Sequence, residues 1–439
     1  MSLSTRLKAL EAAQGQASIA IVGAGYVAGG VLHTLLQTPA MAPTVVVARS
    51  ADKALAVVEK LGINRADILV SSDPVAISAA IKAGQFVITD DHQVLASIPV
   101  DIVIEATGAL EYGTRVILAA LRAGKHVVSY NAEVDSLLAF RFHREADEHR
   151  VIYTIADGDQ PGALLRLSEQ VEAMGFDITA LINCKRHLNL HQNPSSGADY
   201  SARDATSNKM TTSFGDGTKM QIEQAVVANA TGMAPSIRGM EGIKTTLETI
   251  TEDVKGLWPE ESDVQRHIPA SEHVNGVVDY TLGGDFGAGV GVVARHPHAQ
   301  HHCKALSLYK MGEGPDYFFF RPYHLVHLEL PLTIADLLLH GEALARVDTP
   351  HVANVVAMAK KDLGAGEVLD GIGGYCAYGL IESLDKAADL LPIALSGYAT
   401  TISEVAQDQP IRLDAVTLDE SKVVVQEWLA LMKLWNTAA

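Results

Sequence analysis

Several short stretches of this 439-residue chain combine residue types and spacings that chemistry can use. Gly23-Ala24-Gly25-Tyr26-Val27-Ala28 lies between the apolar run Ile19–Val22 and a helix-like pattern. Gly23 permits a tight strand-to-helix turn, and Gly25 lets the backbone approach a pyrophosphate. The small Ala28 lets the helix pack on the strand, with the N–H groups of its first turn facing the phosphates. The next apolar run, Val45-Val46-Val47-Ala48, ends on Arg49-Ser50, where a carboxylate would bind the ribose 2′-hydroxyl of NAD. A guanidinium and a hydroxyl suit a 2′-phosphate instead. Gly23, Gly25, Tyr26, Val27, Ala28, Arg49 and Ser50 therefore predict a dinucleotide site that prefers NADPH, with Arg49 as a solvated surface charge the rival reading.

Hydride transfer to a carbonyl needs a cation or acid to stabilise the developing alkoxide. Lys185 is the first candidate, because it ends the run Ile178–Cys184 and is followed by Arg186 and His187; a surface lysine at a strand end is the alternative. Glu133, Asp135 and Asp159 are expected at strand ends facing one crevice, where carboxylates act as a base or hold a divalent cation, Mg2+ or Mn2+. Capping or surface acids are the other reading of all three. Asp279, in Gly276–Tyr280, is either a substrate contact or an Asx-turn residue. Arg321-Pro322-Tyr323-His324 follows the aromatic run Tyr317–Phe320. Arg321 offers a planar fork for phosphate or carboxylate, and the alternative is a structural arginine under the aromatics. His324 could move a proton or simply pack. The stretch His296-Pro297-His298-Ala299-Gln300-His301-His302-Cys303 matches no standard zinc spacing, and its proline interrupts any helix that would align the rings, so no metal is assigned there.

The elements that must position these groups alternate strand and helix as far as about Ala156. A polar leading helix over residues 3–15 precedes the glycine turn. After the Val45 strand come a helix over Ala51–Leu61, a strand Asp101–Ala106, a helix over Thr114–Ala123 and a strand His126–Tyr130. Such repeats give a parallel, doubly wound sheet of the Rossmann type, which places Thr107, Gly108 and Asn131 beside the nicotinamide half of the cofactor. Residues 67–96 read as a long connection with one helix. Beyond Asp157, strand-like runs mix with glycine-rich loops such as Asn193–Asn208, indicating an α+β substrate and dimerisation domain closed by a helix over Leu332–His340. From about Asp348 a small β-rich module follows. The expected domains are 1–160, 161–347 and 348–439.

Hydrophobic content of 48% and 36 glycines suit an α/β enzyme. A net charge of −18 argues against nucleic-acid and anionic-membrane partners, so any substrate phosphate needs a local basic cluster. Cys184, Cys303 and Cys376 lack CxxC spacing, which speaks against a disulfide framework. With no apolar leader and no span of roughly 18 apolar residues, a soluble, cytoplasmic protein is expected.

The string Asp101–Asn131, DIVIEATGALEYGTRVILAALRAGKHVVSYN, resembles the nucleotide domain of homoserine dehydrogenases. In that family an Asn-Lys pair supplying a catalytic lysine follows the GKHVV strand. Here Asn131 is followed by Ala132 and Glu133, so that part of the mechanism does not carry over. A resemblance covering nearly the whole chain is to the deoxyxylulose-phosphate reductoisomerase-like family, which joins a homoserine dehydrogenase-like core to a C-terminal SAF module. It rests on Asn131–Asp135, Gly158–Pro161, Asn229–Gly232, Gly276–Tyr280, Arg321–Leu325 and Ala359–Leu363. The resemblance implies NADPH-dependent rearrangement and reduction of 1-deoxy-D-xylulose 5-phosphate to 2-C-methyl-D-erythritol 4-phosphate, a step of isoprenoid biosynthesis, while the homoserine dehydrogenase resemblance implies a homodimer formed through the substrate domain. The reductoisomerase-like resemblance supports Lys185 as catalytic, and for that substrate Lys185, Arg186 and Arg321 are expected to hold the anionic end, with Glu133 near the reacting hydroxyls. A dehydrogenase or oxidoisomerase of a sugar acid or branched hydroxy acid, and a non-catalytic NADPH-binding regulator, are the alternatives.

Overall fold

The computed structural model describes residues 1–199, 207–253, 276–283 and 286–438; of the polar stretch Asn193–Asn208, residues 200–206 lie outside these. The chain divides into two compact units, Met1–Gly162 with Leu325–Asp348, and Ala163–His324 with Thr349–Ala439.

The first unit is built on β1 (Ala17–Val22), β2 (Met41–Val47), β3 (Ile68–Val70), β4 (Phe86–Thr89), β5 (Ile102–Glu105), β6 (His126–Ser129) and β7 (Tyr153–Ile155). They form a seven-stranded sheet in the order β3-β4-β2-β1-β5-β6-β7, and every pairing is parallel. All four residues of Ile19–Val22 have 0% exposure, as a central parallel strand covered on both faces requires. The chain moves from β1 outward to β2 on one side and to β5 on the other. That reversal creates the crevice at the carboxyl ends of β1 and β5.

Residues 67–96, expected to hold one helix, contain β3, β4 and the helix Pro74–Lys82 between them. Strands of three and four residues are too short to show an alternating pattern. The helix Leu330–His340, expected to close the substrate region, buries Leu330, Ile334, Ala335 and Leu337 in the core of the first unit with Ile19, Ile21 and Leu32. Burying side chains the size of Leu330 and Ile334 contributes roughly 1.5–3 kcal/mol each, which accounts for the return of this segment.

The second unit carries a five-stranded mixed sheet in the order β12-β11-β8-β10-β9, from β8 (Asp177–Lys185), β9 (Ile243–Lys244), β10 (Val277–Leu282), β11 (Val290–Arg295) and β12 (Asp316–Arg321). One face packs Ala180, Ile182 and Cys184 with Phe286, Val293 and Phe318. The chain beyond Thr349 forms the antiparallel ribbon β13 (Ala353–Ala359) with β14 (Ala377–Ser383), and the short pair β15 (Ala399–Thr401) with β16 (Val416–Leu418).

The helix Thr218–Thr231 packs against β8, β10 and both strands of the ribbon, and Thr218–Asn229 is buried throughout. A helix buried on every side must pair its polar groups. Gln224 donates from Nε2 to the Leu181 and Asp279 carbonyls, at 2.9 and 2.7 Å. Facing the ribbon, the Thr218 hydroxyl accepts from Gly379 N–H at 2.8 Å and Gln221 Oε1 accepts from Ile381 N–H at 2.9 Å.

Candidate active site

In the first unit the glycine turn has the geometry its spacing requires. Gly23 has φ +127°, and a Cβ there would stand 2.9 Å from the Ala106 carbonyl oxygen. The same Cβ would be 3.6 Å from Ala28 Cβ, so the turn and the first turn of the helix lie in close contact here. Gly25 is the N-cap of the helix Tyr26–Leu35 and supplies no side-chain cap. A Cβ on Gly25 would meet nothing within 4 Å, so there is room above the first-turn N–H groups for a ligand phosphate. The cradle therefore fits the pyrophosphate of a dinucleotide. Tyr26 is exposed and its ring stands edge-on to His327, 5.7 Å between centroids; Val27 is half-buried beside the core. Arg49 is exposed at the end of β2, where a 2′-phosphate would lie. Ser50 accepts from Lys53 N–H at 3.3 Å as the cap of the helix Ala51–Lys60, and its hydroxyl proton is left to donate.

Along the carboxyl edge, Glu105 closes β5 directly opposite Val22 and is completely buried. Its Oε1 accepts from Thr107 N–H at 2.9 Å and from the Thr107 hydroxyl. Burial pushes its pKa above the ordinary carboxylate value. Thr107 thus serves the crevice by holding Glu105, and Gly108 turns the chain at φ +63°. Glu105 went unrecognised in the sequence, although a charged residue closing the apolar run Ile102–Ile104 is a readable signal.

Asn131 is fully buried as the N-cap of the helix Ala132–His149, its Oδ1 accepting from Val134 N–H at 3.3 Å. Glu133 and Asp135, expected at strand ends, instead occupy the first turn of that helix, where acids are favoured by the helix dipole. Both are buried. Asp135 accepts from Ser129 Oγ at 3.0 Å and from the Tyr153 hydroxyl, and burial drives its pKa up to about 7. Asp159 lies half-buried in the turn after β7; burial raises the Tyr130 phenol, and the nearby Asp159 charge adds to it.

In the second unit Lys185 ends β8, with its Nζ 3.7 Å from Glu223 Oε2 and 5.9 Å from the centroid of the Phe214 ring. Asn183, two residues earlier on the same face, donates from Nδ2 to the same Glu223 oxygen at 3.0 Å. The lysine is one-fifth exposed and Glu223 is buried, so the ammonium is held at the edge of a partly dry site. Across the sheet, Asn183 stands opposite Val290, and Val290 opposite Arg321. Directly paired residues share a face, so Arg321 and Lys185 lie on one face at one end of the sheet, two strands apart at roughly 4.8 Å per strand. The Arg321 guanidinium lies over the Tyr323 ring at 4.9 Å. Arg186 is exposed; a Cβ on Gly287 would find Arg186 Nη2 at 3.4 Å and the Pro322 carbonyl at 3.7 Å, which brings Arg186 to the Arg321 segment. His324 is half-buried at the end of that segment. Neither Asn183 nor Glu223 is singled out by any motif.

Asp279 is kept from such a cluster. It is fully buried and accepts from the N–H groups of Glu241, Gly242 and Tyr280 at 3.2, 2.9 and 2.7 Å. Burial still lifts its pKa to about 6. It therefore holds the 240–242 turn. The helix Ala299–Leu308 starts just beyond Pro297, and the His296 and His302 rings are 4.3 Å apart. Among the described residues no three His, Cys, Asp or Glu side chains are grouped to hold a metal ion. Cys184 and Cys376 are buried, with thiol pKa values pushed up to about 12 and 11.

A parallel sheet with this switch point and a glycine cradle over a bare helix end fit a dinucleotide coenzyme, and two family matches support an NAD(P)-dependent oxidoreductase. Residues 23–155 match the family described as homoserine dehydrogenase, NAD binding domain, and residues 158–330 match oxidoreductase DRL, catalytic domain. No curated protein matches the sequence. Among solved structures the chain is similar to a probable dehydrogenase from Thermotoga maritima, at 13% identity over 74% of this chain and 90% of the other, with a TM-score of 0.39. It is also similar to a 1-deoxy-D-xylulose 5-phosphate reductoisomerase from Zymomonas mobilis in complex with NADPH, at 17% identity over 48% and 57%, with a TM-score of 0.35. A scyllo-inositol dehydrogenase from Lactobacillus casei shows 15% identity over 43% and 49%, with a TM-score of 0.29. No described helix is long and apolar enough to cross a membrane.

Proposed function

We propose that this oxidoreductase uses NADPH to reduce the carbonyl of a small, anionic, sugar-derived substrate, with 1-deoxy-D-xylulose 5-phosphate the first compound to test. The observation that carries this reading is the cation pair Lys185 and Arg321 on one face of the second sheet, with Lys185 held by Glu223 and Asn183. When bound, the coenzyme supplies the hydride. Lys185 offers a proton and a positive charge to the oxygen that becomes an alkoxide, and Glu223 fixes the direction of its Nζ. Arg321 and Arg186 take the anionic end of the substrate. Arg49 favours NADPH over NADH through the 2′-phosphate. The catalytic protein is a cytoplasmic homodimer in this reading.

A second reading has a sugar acid or branched hydroxy acid as substrate, because the guanidinium of Arg321 matches a carboxylate as well as a phosphate. NADPH oxidation against phosphorylated keto sugars and non-phosphorylated keto acids, each with and without Mg2+ or Mn2+, separates the two. Tight NADPH binding with no oxidation by any member of the panel would overturn both in favour of a non-catalytic binder.

A further inference from the structure

The turn that sets the surroundings of Lys185 is fixed from outside the region matched to the catalytic-domain family, which ends at residue 330. Lys360 follows β13 and is buried, at 3% side-chain exposure, against an Asp216 carboxylate at 0%. Its ammonium has three protons. They go to Asp216 Oδ2 at 2.8 Å, the Gln192 carbonyl at 2.7 Å and the Gly374 carbonyl at 2.9 Å. Asp216 in turn accepts from Thr218 N–H at 2.9 Å and so starts the helix that carries Glu223. Two residues before Asp216 stands Phe214, the ring beside Lys185.

Other contacts from the C-terminal part grip the same segment. A Cβ on Gly373 would come within 2.0 Å of the Lys209 carbonyl, Lys209 Nζ donates to the Asp370 carbonyl, and the Tyr375 hydroxyl is 2.7 Å from Ser195 Oγ. An ion pair this deeply buried is weak evidence for stability, because desolvation offsets most of the attraction. Its three fixed bonds do impose one geometry on the turn.

We propose that Lys360 is a positioning residue, through which the C-terminal β module sets the Asp216 turn and thereby holds Phe214 and Glu223 against Lys185. This rests on Lys185 being the working cation, and the experiment treats the two ideas separately. Lys360→Met removes the ammonium at similar length; Lys360→Met with Asp216→Asn removes both buried charges and avoids stranding one of them. Reductive methylation with labelled formaldehyde, read residue by residue by mass spectrometry, reports access to the Lys185 amine on the full-length protein.

In either folded variant Lys185 should methylate roughly tenfold faster, because a local opening governs its access. Exposed Lys53 and NADPH affinity by calorimetry should stay unchanged. A folded variant in which Lys185 labels at the native rate overturns the inference. Should Lys185→Met retain full turnover against the substrate panel, the functional reading fails, while the labelling result still decides whether Lys360 sets the turn.

Discussion

Two helices of the first unit begin at the same carboxyl edge of the sheet and begin differently. Tyr26–Leu35 starts on Gly25 with no side-chain cap and open space above it. Ala132–His149 starts on Asn131, which caps Val134, with two buried acids in its first turn. Every helix start leaves N–H groups in need of acceptors. One start has been closed by the protein's own residues, and the other is left for a ligand. A capped end spends its dipole on structure, and a bare end keeps it for binding.

The largest expected effect concerns the closed end. Asp135 has a pKa raised from 3.8 to about 7 by burial, so the folded protein binds its proton more tightly than the unfolded chain does. The stability this confers is complete below the unfolded value and is lost as pH rises through the folded one. Across that window the loss amounts to about 4 kcal/mol at 1.36 kcal/mol per pH unit. Asp135→Asn should therefore flatten the decline in chemical-denaturation stability between about pH 4 and pH 7 and make the variant the more stable of the two at pH 8. An unchanged pH slope would show that Asp135 is not the titrating group.

Gly25→Asp converts the open end into a closed one. A Cβ there meets nothing within 4 Å, and the new carboxylate competes with the phosphates, so NADPH affinity by calorimetry should drop about 100-fold, near 2.7 kcal/mol. Helix stability should change by only a few tenths of a kcal/mol. Undiminished affinity would break the comparison. Arg49→Ala should weaken NADPH about tenfold and leave NADH nearly untouched, since only the 2′-phosphate is lost as a partner. Equal loss for both coenzymes would make Arg49 a general surface charge. The smallest effect is expected from Asn131→Ala: about 1 kcal/mol of stability, with coenzyme affinity within twofold of native. A large loss of affinity would mean that Asn131 contacts the ligand directly.

What could be read from the sequence follows the same division. The open end was legible because bare glycines at fixed spacing are required by backbone geometry, and Gly23 at φ +127° confirms the constraint. The parallel sheet was legible from its long apolar runs. The closed end was misplaced: Glu133 and Asp135 were expected one element too early, because a cap is recognised only once the strand before it has ended at Ser129. β3 and β4 were too short to show a period. Glu223, Asn183 and Lys360 depend on contacts between segments far apart in the chain, at 40 residues for Asn183 with Glu223 and 144 for Lys360 with Asp216. No local pattern encodes such pairs.

The segment Leu325–Asp348 completes the first unit only after the intervening residues 163–324 of the second have been synthesised. On the ribosome, then, the coenzyme sheet waits with the hydrophobic seat of Leu330 and Ile334 uncovered while a whole stretch of foreign fold is threaded out ahead of its last piece. A nascent chain halted before residue 330 would carry every glycine of the cradle and still lack the side chains that cover that seat.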